Sequence, residues 1–315
     1  MSSGIIFALL TALSWSIGLF PFTQAARRLG SHSLNHFRLL VAMVVVGLFC
    51  IAFTPTEFLK LFTPSYLQAW IWLGLSGIVG LTIGDYFAFA MYSILGARVG
   101  SVLSTFAPAA ALLLGWIMVD EHISFVGIIG IAITIVGVNF ISLGKKERVL
   151  LPEQQHKHIT KGIFLGVLAA LCQGAGLVMA KKGMMLEKEI GITVIPFHAT
   201  FIRMTIAVVS VFLLTAFQGR LKEIASPILK NREGGIKYAL AGSLFGPILG
   251  VSLSLYTISI MDPSIAQTIF SLVPAITLFL AYFFIREKIT WQSLLGVVVA
   301  VAGVVVLIWR DRISF

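Results

Sequence analysis

Three ionisable side chains stand inside stretches that are otherwise apolar, and their types suit the handling of charged groups. Asp85 lies in Gly84-Asp85-Tyr86, deep within one apolar run, and Arg38 and Arg203 stand in the first turns of two others. A charge in hydrocarbon is costly, so such residues mark substrate or ion pathways or pair with one another. The arginine fork matches a carboxylate. The aspartate can take up a proton or face an amine, or it can form a structural ion pair with Arg38. The plainer reading of the arginines is that both snorkel to headgroups. His36 and His198 each precede one of these arginines. An interfacial role is the ordinary reading for such a histidine, and a proton relay is the rarer one. Gln173, Asn139 and Gln267 either line a cavity or bond across helices. Glu121 and Glu287 fall in turns at helix ends, where capping is the simpler role.

Enzyme chemistry finds no anchor in this inventory. The sequence holds no HExxH, GxSxG, P-loop or GxGxxG pattern. No metal-ligand cluster and no cofactor motif is present, so none is expected. Cys50 and Cys172 lie in apolar runs and read as free thiols, not a disulfide.

The elements that position these residues follow from composition. The chain has 315 residues, of which 58% are hydrophobic and only 11% charged. A soluble domain is nearer a quarter charged, and no soluble fold could cover that much apolar surface. Ten apolar segments can be drawn, at about 4–25, 34–54, 67–94, 98–118, 124–143, 161–181, 196–217, 236–260, 264–285 and 290–309. Backbone polar groups in a bilayer must be satisfied internally, so each segment is expected to be helical. The first segment reads as a membrane span, not a removed signal peptide. Pro108 and Pro274 fall within the fourth and ninth spans and are expected to bend them. Ser124 and Thr290 read as N-caps of the fifth and tenth. The net charge of +10 comes from basic residues scattered through short loops. Contacts with the lipid bilayer therefore explain the charge better than nucleic acid does.

The same pattern occurs twice. Gly80, Gly84, Pro108, Glu121, Gly130 and Gly137 recur as Gly246, Gly250, Pro274, Glu287, Gly296 and Gly303, always 166 residues on. Gly4 and Gly18 recur as Gly162 and Gly176, which makes Trp15 and Gln173 equivalent, and Arg38 recurs as Arg203. Asp85 has Val251 as its counterpart. The division is therefore residues 1–143, a polar linker over 144–160, and residues 161–315. Five spans per copy is an odd number, so the second copy must enter the membrane from the opposite side. The fold class is an all-α polytopic membrane protein, ten transmembrane helices as a 5+5 inverted repeat. In such folds the substrate site lies near the midplane between the halves.

The residues Pro108-Ala-Ala-Ala-Leu-Leu-Leu-Gly-Trp through Asp120-Glu121, Pro274-Ala-Ile-Thr-Leu through Arg286-Glu287 and Ala12-Leu-Ser-Trp15 resemble the EamA type of the drug/metabolite transporter superfamily. The family's usual glycine before the turn glutamate is replaced by Asp120 and Arg286. The resemblance implies a secondary transporter in the cell membrane, exporting a small polar or amphipathic metabolite such as an amino acid through a central cavity. The expected cavity residues are Trp15, Arg38, Asp85, Gln173 and Arg203, with protons a possible coupling ion and a monomer or weak dimer as the assembly. An intramembrane enzyme acting on a lipid-linked substrate is the alternative, and it would need a nucleophile–base pair or a metal site.

Orientation is contested. Lys60, Lys181, Lys182, Lys188, Arg310 and Arg312 fall on the side of the termini, whereas the opposite side carries most of the basic residues, among them Arg27, Arg28, Arg220, Lys222, Lys230 and Arg232. The positive-inside rule would put the termini outside. The family resemblance implies termini in the cytoplasm, and that is the orientation expected here.

Overall fold

The computed structural model describes residues 2–88, 90–91, 94, 103–142, 159–186, 192, 194–285 and 290–309. Among these the chain is helical throughout, with no strand. In chain order the first elements are α1 (Ser2–Leu29), α2 (Ser31–Phe53), α3 (Pro55–Lys60), α4 (Leu67–Gly77) and a π-helical stretch, Ile78–Gly84. There follow α5 (Ala107–Val119), α6 (Phe125–Ser142), α7 (Ile159–Met184), α8 (Pro196–Phe217), α9 (Leu221–Leu229) and α10 (Gly235–Ser243). A second π-helical stretch, Leu244–Gly250, leads to α11 (Val251–Ile260), α12 (Pro263–Phe270), α13 (Val273–Ile285) and α14 (Trp291–Ile308). Among the described residues, eight helical stretches are long and apolar enough to cross a membrane. Two shorter apolar helices, Ala107–Val119 and Phe125–Phe140, stand where the fourth and fifth of the ten expected spans fall. The linker over 144–158 and Glu287 lie outside the described residues.

Local chemistry sets where these helices begin and break. Pro55, Pro108, Pro196 and Pro263 each occupy a first-turn position, where the missing N–H removes no intrahelical bond. Pro108 and Pro274 each stand just after a local break in the ladder: Pro108 in the first turn of α5, and Pro274 at the second residue of α13, within the apolar helical stretch Pro263–Phe283. The breaks are built alike. Phe106 N–H bonds the Leu103 carbonyl at 3.2 Å, and Leu272 N–H bonds the Ile269 carbonyl at 3.0 Å. The two pairs are again 166 residues apart, and so are the two π-helical stretches. Ser124 and Thr290 cap as expected: their hydroxyls accept from Gly127 N–H at 3.3 Å and Ser293 N–H at 3.2 Å.

The chain forms two compact units, each drawing on both copies of the repeat: Met1–Thr82 with Met179–Ile260, and Ile83–Val178 with Met261–Phe315. In the first, α1 packs along α10 and the second π-helical stretch, and α8 lies between α2 and α4. Small residues permit close approach. A Cβ on Gly77 would stand 2.5 Å from the Arg203 carbonyl oxygen, and one on Gly242 would stand 2.3 Å from the Phe22 ring.

In the second unit the tightest seam joins α6 and α14. A Cβ on Gly130 would lie 2.9 Å from Gly303 O, one on Gly137 2.8 Å from Gly296 O, and one on Gly303 2.8 Å from Gly130 O. As the number rises along α6 it falls along α14, so the helices are antiparallel. Gly130 is the repeat counterpart of Gly296, and Gly137 of Gly303. Each contact therefore maps onto the other under exchange of the two copies, which is the signature of a local two-fold axis across the seam.

Candidate functional site

Trp15 and Gln173 occupy comparable positions on α1 and α7. On α1 the exposed apolar stripe runs through Ile6, Leu9, Leu10 and Leu13; on α7 it runs through Ile163, Phe164, Val167 and Leu171. These stripes are the surfaces offered to lipid. At about 100° per residue, Trp15 and Gln173 sit roughly 170° and 135° from the centres of their stripes. Gln173 is exposed although Ala169, Ala170, Gly176 and Leu177, its neighbours one turn either way, are buried. Trp15 is half-buried among buried Thr11, Ala12 and Gly18. Both side chains thus stand on the sides of their helices away from these stripes.

The surroundings of Trp15 explain why α1 is held there. The Ser14 hydroxyl donates to the Phe245 carbonyl at 2.6 Å. That carbonyl belongs to the π-helical stretch, whose register distorts the normal ladder. A Cβ on Gly250 would stand 2.3 Å from the Trp15 indole, so the indole lies flush on a glycine.

Arg38 and Arg203 prove deeper than expected. Each is the eighth residue of its helix, α2 and α8. Arg38 is half-buried; its Nε donates to Asn35 Oδ1 at 2.8 Å and its guanidinium lies 5.7 Å from the Phe22 ring centre. Arg203 is only 5% exposed, so it does not snorkel. Trp15, Arg38 and Arg203 belong to the first unit; Asp85 and Gln173 belong to the second. Asp85 is half-buried and directly follows the first π-helical stretch. Lys181, at the end of the sixth expected span, sits in the last turn of α7, and its ammonium bonds the Ile258 carbonyl near the C-terminus of α11. A cation suits that helix end.

Two arrangements were not legible as pairs in the sequence. In the first unit, His36 Nε2 lies 2.7 Å from Thr215 Oγ1, and His198 Nε2 lies 3.0 Å from Thr54 Oγ1. Both histidines are buried, at 3% and 2% exposure. The partners are 179 and 144 residues apart in the chain; only an antiparallel pairing of α2 with α8 brings them together. In the second unit Glu121, 4% exposed, accepts from the Ser264 N–H at 3.2 Å and from the Ser264 hydroxyl. It caps α12 from a turn more than a hundred residues away in sequence. The capping reading of Glu121 therefore holds, although the helix it caps is not its own. Among the described residues no group of three or more His, Cys, Asp or Glu side chains could hold a metal ion.

Apolar spans, a duplicated half and matched helix breaks define a multi-pass membrane protein of two-repeat construction. The model of the EamA-like transporter family matches residues 2–143 and 160–309, and the chain belongs to that family. It is thus a membrane transporter with two repeated halves. A comparison with curated proteins finds no match. A solved structure described only as a crystal structure of a protein aligns over 100% of both chains, with a TM-score of 0.72 and 13% identity. That likeness concerns the fold alone.

Proposed function

We propose that this chain is a secondary transporter that exports a small polar or amphipathic, amino-acid-like metabolite across the cell membrane. The pathway is a central cavity between two inverted repeats of five spans each, and both termini are cytoplasmic. The observation that carries this reading is Gln173, exposed on the face of α7 opposite its lipid stripe, with Trp15 at the equivalent point of α1. A polar side chain accessible on a face that avoids lipid is what a water-filled pathway requires. Arg38 and Arg203 supply charge for a carboxylate, and Asp85 supplies the opposite charge for an amine or a proton.

The test is counterflow in proteoliposomes loaded with single amino acids and related metabolites. Uptake of a labelled member of that class, saturable and competed by its congeners, is expected. Transport confined to other classes of solute would overturn the substrate assignment. In a preparation that transports, Gln173→Cys and Trp15→Cys should react with a water-soluble thiol reagent and be protected by substrate. Protection of Trp15→Cys, Arg38→Cys, Gln173→Cys and Arg203→Cys alike, without substrate, would remove the pathway from this face. A reporter fused after Phe315 that works only outside the cell would reverse the orientation.

A further inference from the structure

The two histidine–threonine contacts between α2 and α8 look alike, yet they differ when their protons are counted. Thr54 and Thr215 each also lie against the carbonyl four residues back in their own helix: Thr54 Oγ1 is 3.0 Å from Cys50 O and Thr215 Oγ1 is 2.8 Å from Val211 O. A carbonyl oxygen only accepts, so each hydroxyl spends its single proton there. The histidine Nε2 must then be the donor to the threonine oxygen. At His198 this needs one proton on the ring, which a neutral imidazole with Nε2–H supplies. At His36 the other ring nitrogen is also engaged: Nδ1 lies 2.9 Å from the His32 carbonyl, which again only accepts. Three contacts need three protons. A neutral imidazole and a hydroxyl hold two between them; an imidazolium and a hydroxyl hold three.

We propose that His36 is a proton-binding site of this transporter, and that the bound proton completes the hydrogen-bond network fastening α2 to α8 at that end. The inference rests on the transporter reading for its purpose, since a proton taken up between two helices of a transporter is a coupling ion. The local chemistry stands without that reading. In the protonated state Nδ1–H donates to the His32 carbonyl, Nε2–H donates to Thr215 Oγ1, and the Thr215 hydroxyl donates to the Val211 carbonyl. On release of the proton one of these contacts loses its hydrogen and leaves a buried polar group unmet.

Charged and uncharged groups stand on the elements packed against this end of α2. Phe212 packs edge-on against the ring, with centroids 5.0 Å apart, and carries no charge. His32 stands one turn earlier on α2, and Arg38 points to Asn35 and Phe22. From α8 and α9 come Arg220, Lys222 and Glu223, of which Arg220 and Glu223 are paired at 2.8 Å. From α1 and α10 come Arg27, Arg28, Lys237 and Tyr238, with Arg28 and Lys237 both over the Tyr238 ring; Glu233 lies in the turn between α9 and α10. Burial of the ring, with His32 one turn away, opposes its positive form, while the hydrogen bonds to the His32 carbonyl and Thr215 favour it. His36 and Thr54 stand about 27 Å apart along α2 at 1.5 Å per residue. The proton-dependent contact and the proton-independent one therefore close opposite ends of the same helix pair.

The test uses the full-length protein labelled with ¹⁵N-histidine in nanodiscs, with the His36 signal assigned by its loss in His36→Gln. Between about pH 5 and 8, a signal with both ring nitrogens protonated should appear on acidification in the wild type. In Thr215→Val the midpoint of that transition should move to lower pH, because the Nε2–H loses its acceptor. A His36 ring carrying one proton throughout that range would overturn the proposal, and so would a midpoint unmoved by Thr215→Val. In proteoliposomes, His36→Gln should retain counterflow and lose accumulation driven by a pH gradient at least tenfold. Unchanged gradient-driven accumulation in His36→Gln would refute coupling through this site. A wild type without any counterflow would instead count against the transporter reading, leaving the spectroscopic result to decide the proton site by itself.

Discussion

The seam between α6 and α14 and the inner faces of α1 and α7 were copied by the same duplication, and they have aged differently. On the seam, Gly130 and Gly137 still match Gly296 and Gly303, and each glycine touches the backbone of its counterpart's helix. On those faces Trp15 answers to Gln173, and just after the two π-helical stretches Asp85 answers to Val251. The seam glycines are buried, whereas Gln173 is exposed and Trp15 half-buried. What also separates them is the tolerance of the contact. A backbone-to-glycine contact admits no side chain from either copy. A face that looks into solvent-accessible space can exchange an indole for an amide without loosening the bundle. The duplication therefore preserved the frame, and the more open faces were left free to diverge.

The largest test of this contrast is Gly137→Leu. Even a Cβ there would stand 2.2 Å from the Ala300 backbone nitrogen, and backbone cannot turn aside as a flexible side chain can. Overpacking of this kind costs about 3 kcal/mol or more. The thermal midpoint of the purified protein should fall by many degrees, or the protein should fail to accumulate in the membrane. Gly303→Leu should be as harmful, since its Cβ would lie 2.4 Å from Thr134 N. By contrast Gln173→Trp, which restores the residue of the other copy, should leave the midpoint nearly unchanged and alter transport only. If Gln173→Trp destabilised as much as Gly137→Leu, the distinction between frame and inner face would collapse.

Next in size is Glu121→Ala. It deprives the Ser264 N–H and hydroxyl of their acceptor at the start of α12, at a cost of about 2 kcal/mol. The Gly115 site gives an independent check, because a Cβ there would lie 2.2 Å from the Glu121 carboxylate. Gly115→Ala should displace the same cap and lower the midpoint in the same way. The double variant should cost little more than the worse single one, since both act on one contact. Full additivity would mean that Gly115 and Glu121 act separately.

Much of this frame could be read from residue types. Glycines and prolines at a constant 166-residue spacing disclosed the duplication, and Ser124 and Thr290 disclosed two helix starts, because these residues act on their own backbone. The form of the breaks before Pro108 and Pro274 is less legible. A proline reports only that its own N–H is absent; whether the helix bends through it or restarts depends on the turn before it, here closed by Phe106 and Leu272. The pairs His36–Thr215 and Glu121–Ser264 were hidden for a different reason. A contact between residues far apart in the chain leaves no local mark, and histidine and threonine are common enough that only the antiparallel register of α2 and α8 singles them out.

A smaller effect is expected at Asp120, where the copy departs from the family's glycine. Its φ of 54° and ψ of 37° place it in the left-handed region that ends α5. The following Glu121 N–H then reaches back to the Gly115 carbonyl at 3.0 Å. A side chain there costs about 1 kcal/mol, less for aspartate than for most residues. Asp120→Gly should therefore raise the midpoint by a degree or two and leave transport intact. A fall would mean that the Asp120 carboxylate has a role of its own.

The smallest expected effect lies at the surface, in the connection between α8 and α9. Arg220 donates from Nε and Nη2 to the two carboxylate oxygens of Glu223, each at 2.8 Å, and both side chains are exposed. The hydrogen bonds from Arg220 hold the Glu223 carboxyl below its ordinary value. A carboxylate whose folded value is depressed adds stability above the unfolded value of about 4.3, and that stability is lost as the pH falls through the folded value. Glu223→Gln should thus lower the thermal midpoint slightly at neutral pH, and the difference from wild type should vanish on acidification below the carboxylate range. Salt should shrink the difference at neutral pH as well, because exposed pairs are screened. This connection has α3 as its counterpart in the other copy, so the effect of Glu223→Gln measures how far a connector contributes beside the seam. A shift as large as that of Gly137→Leu, or one indifferent to pH, would show that the pair anchors α9 and is not a solvated surface contact.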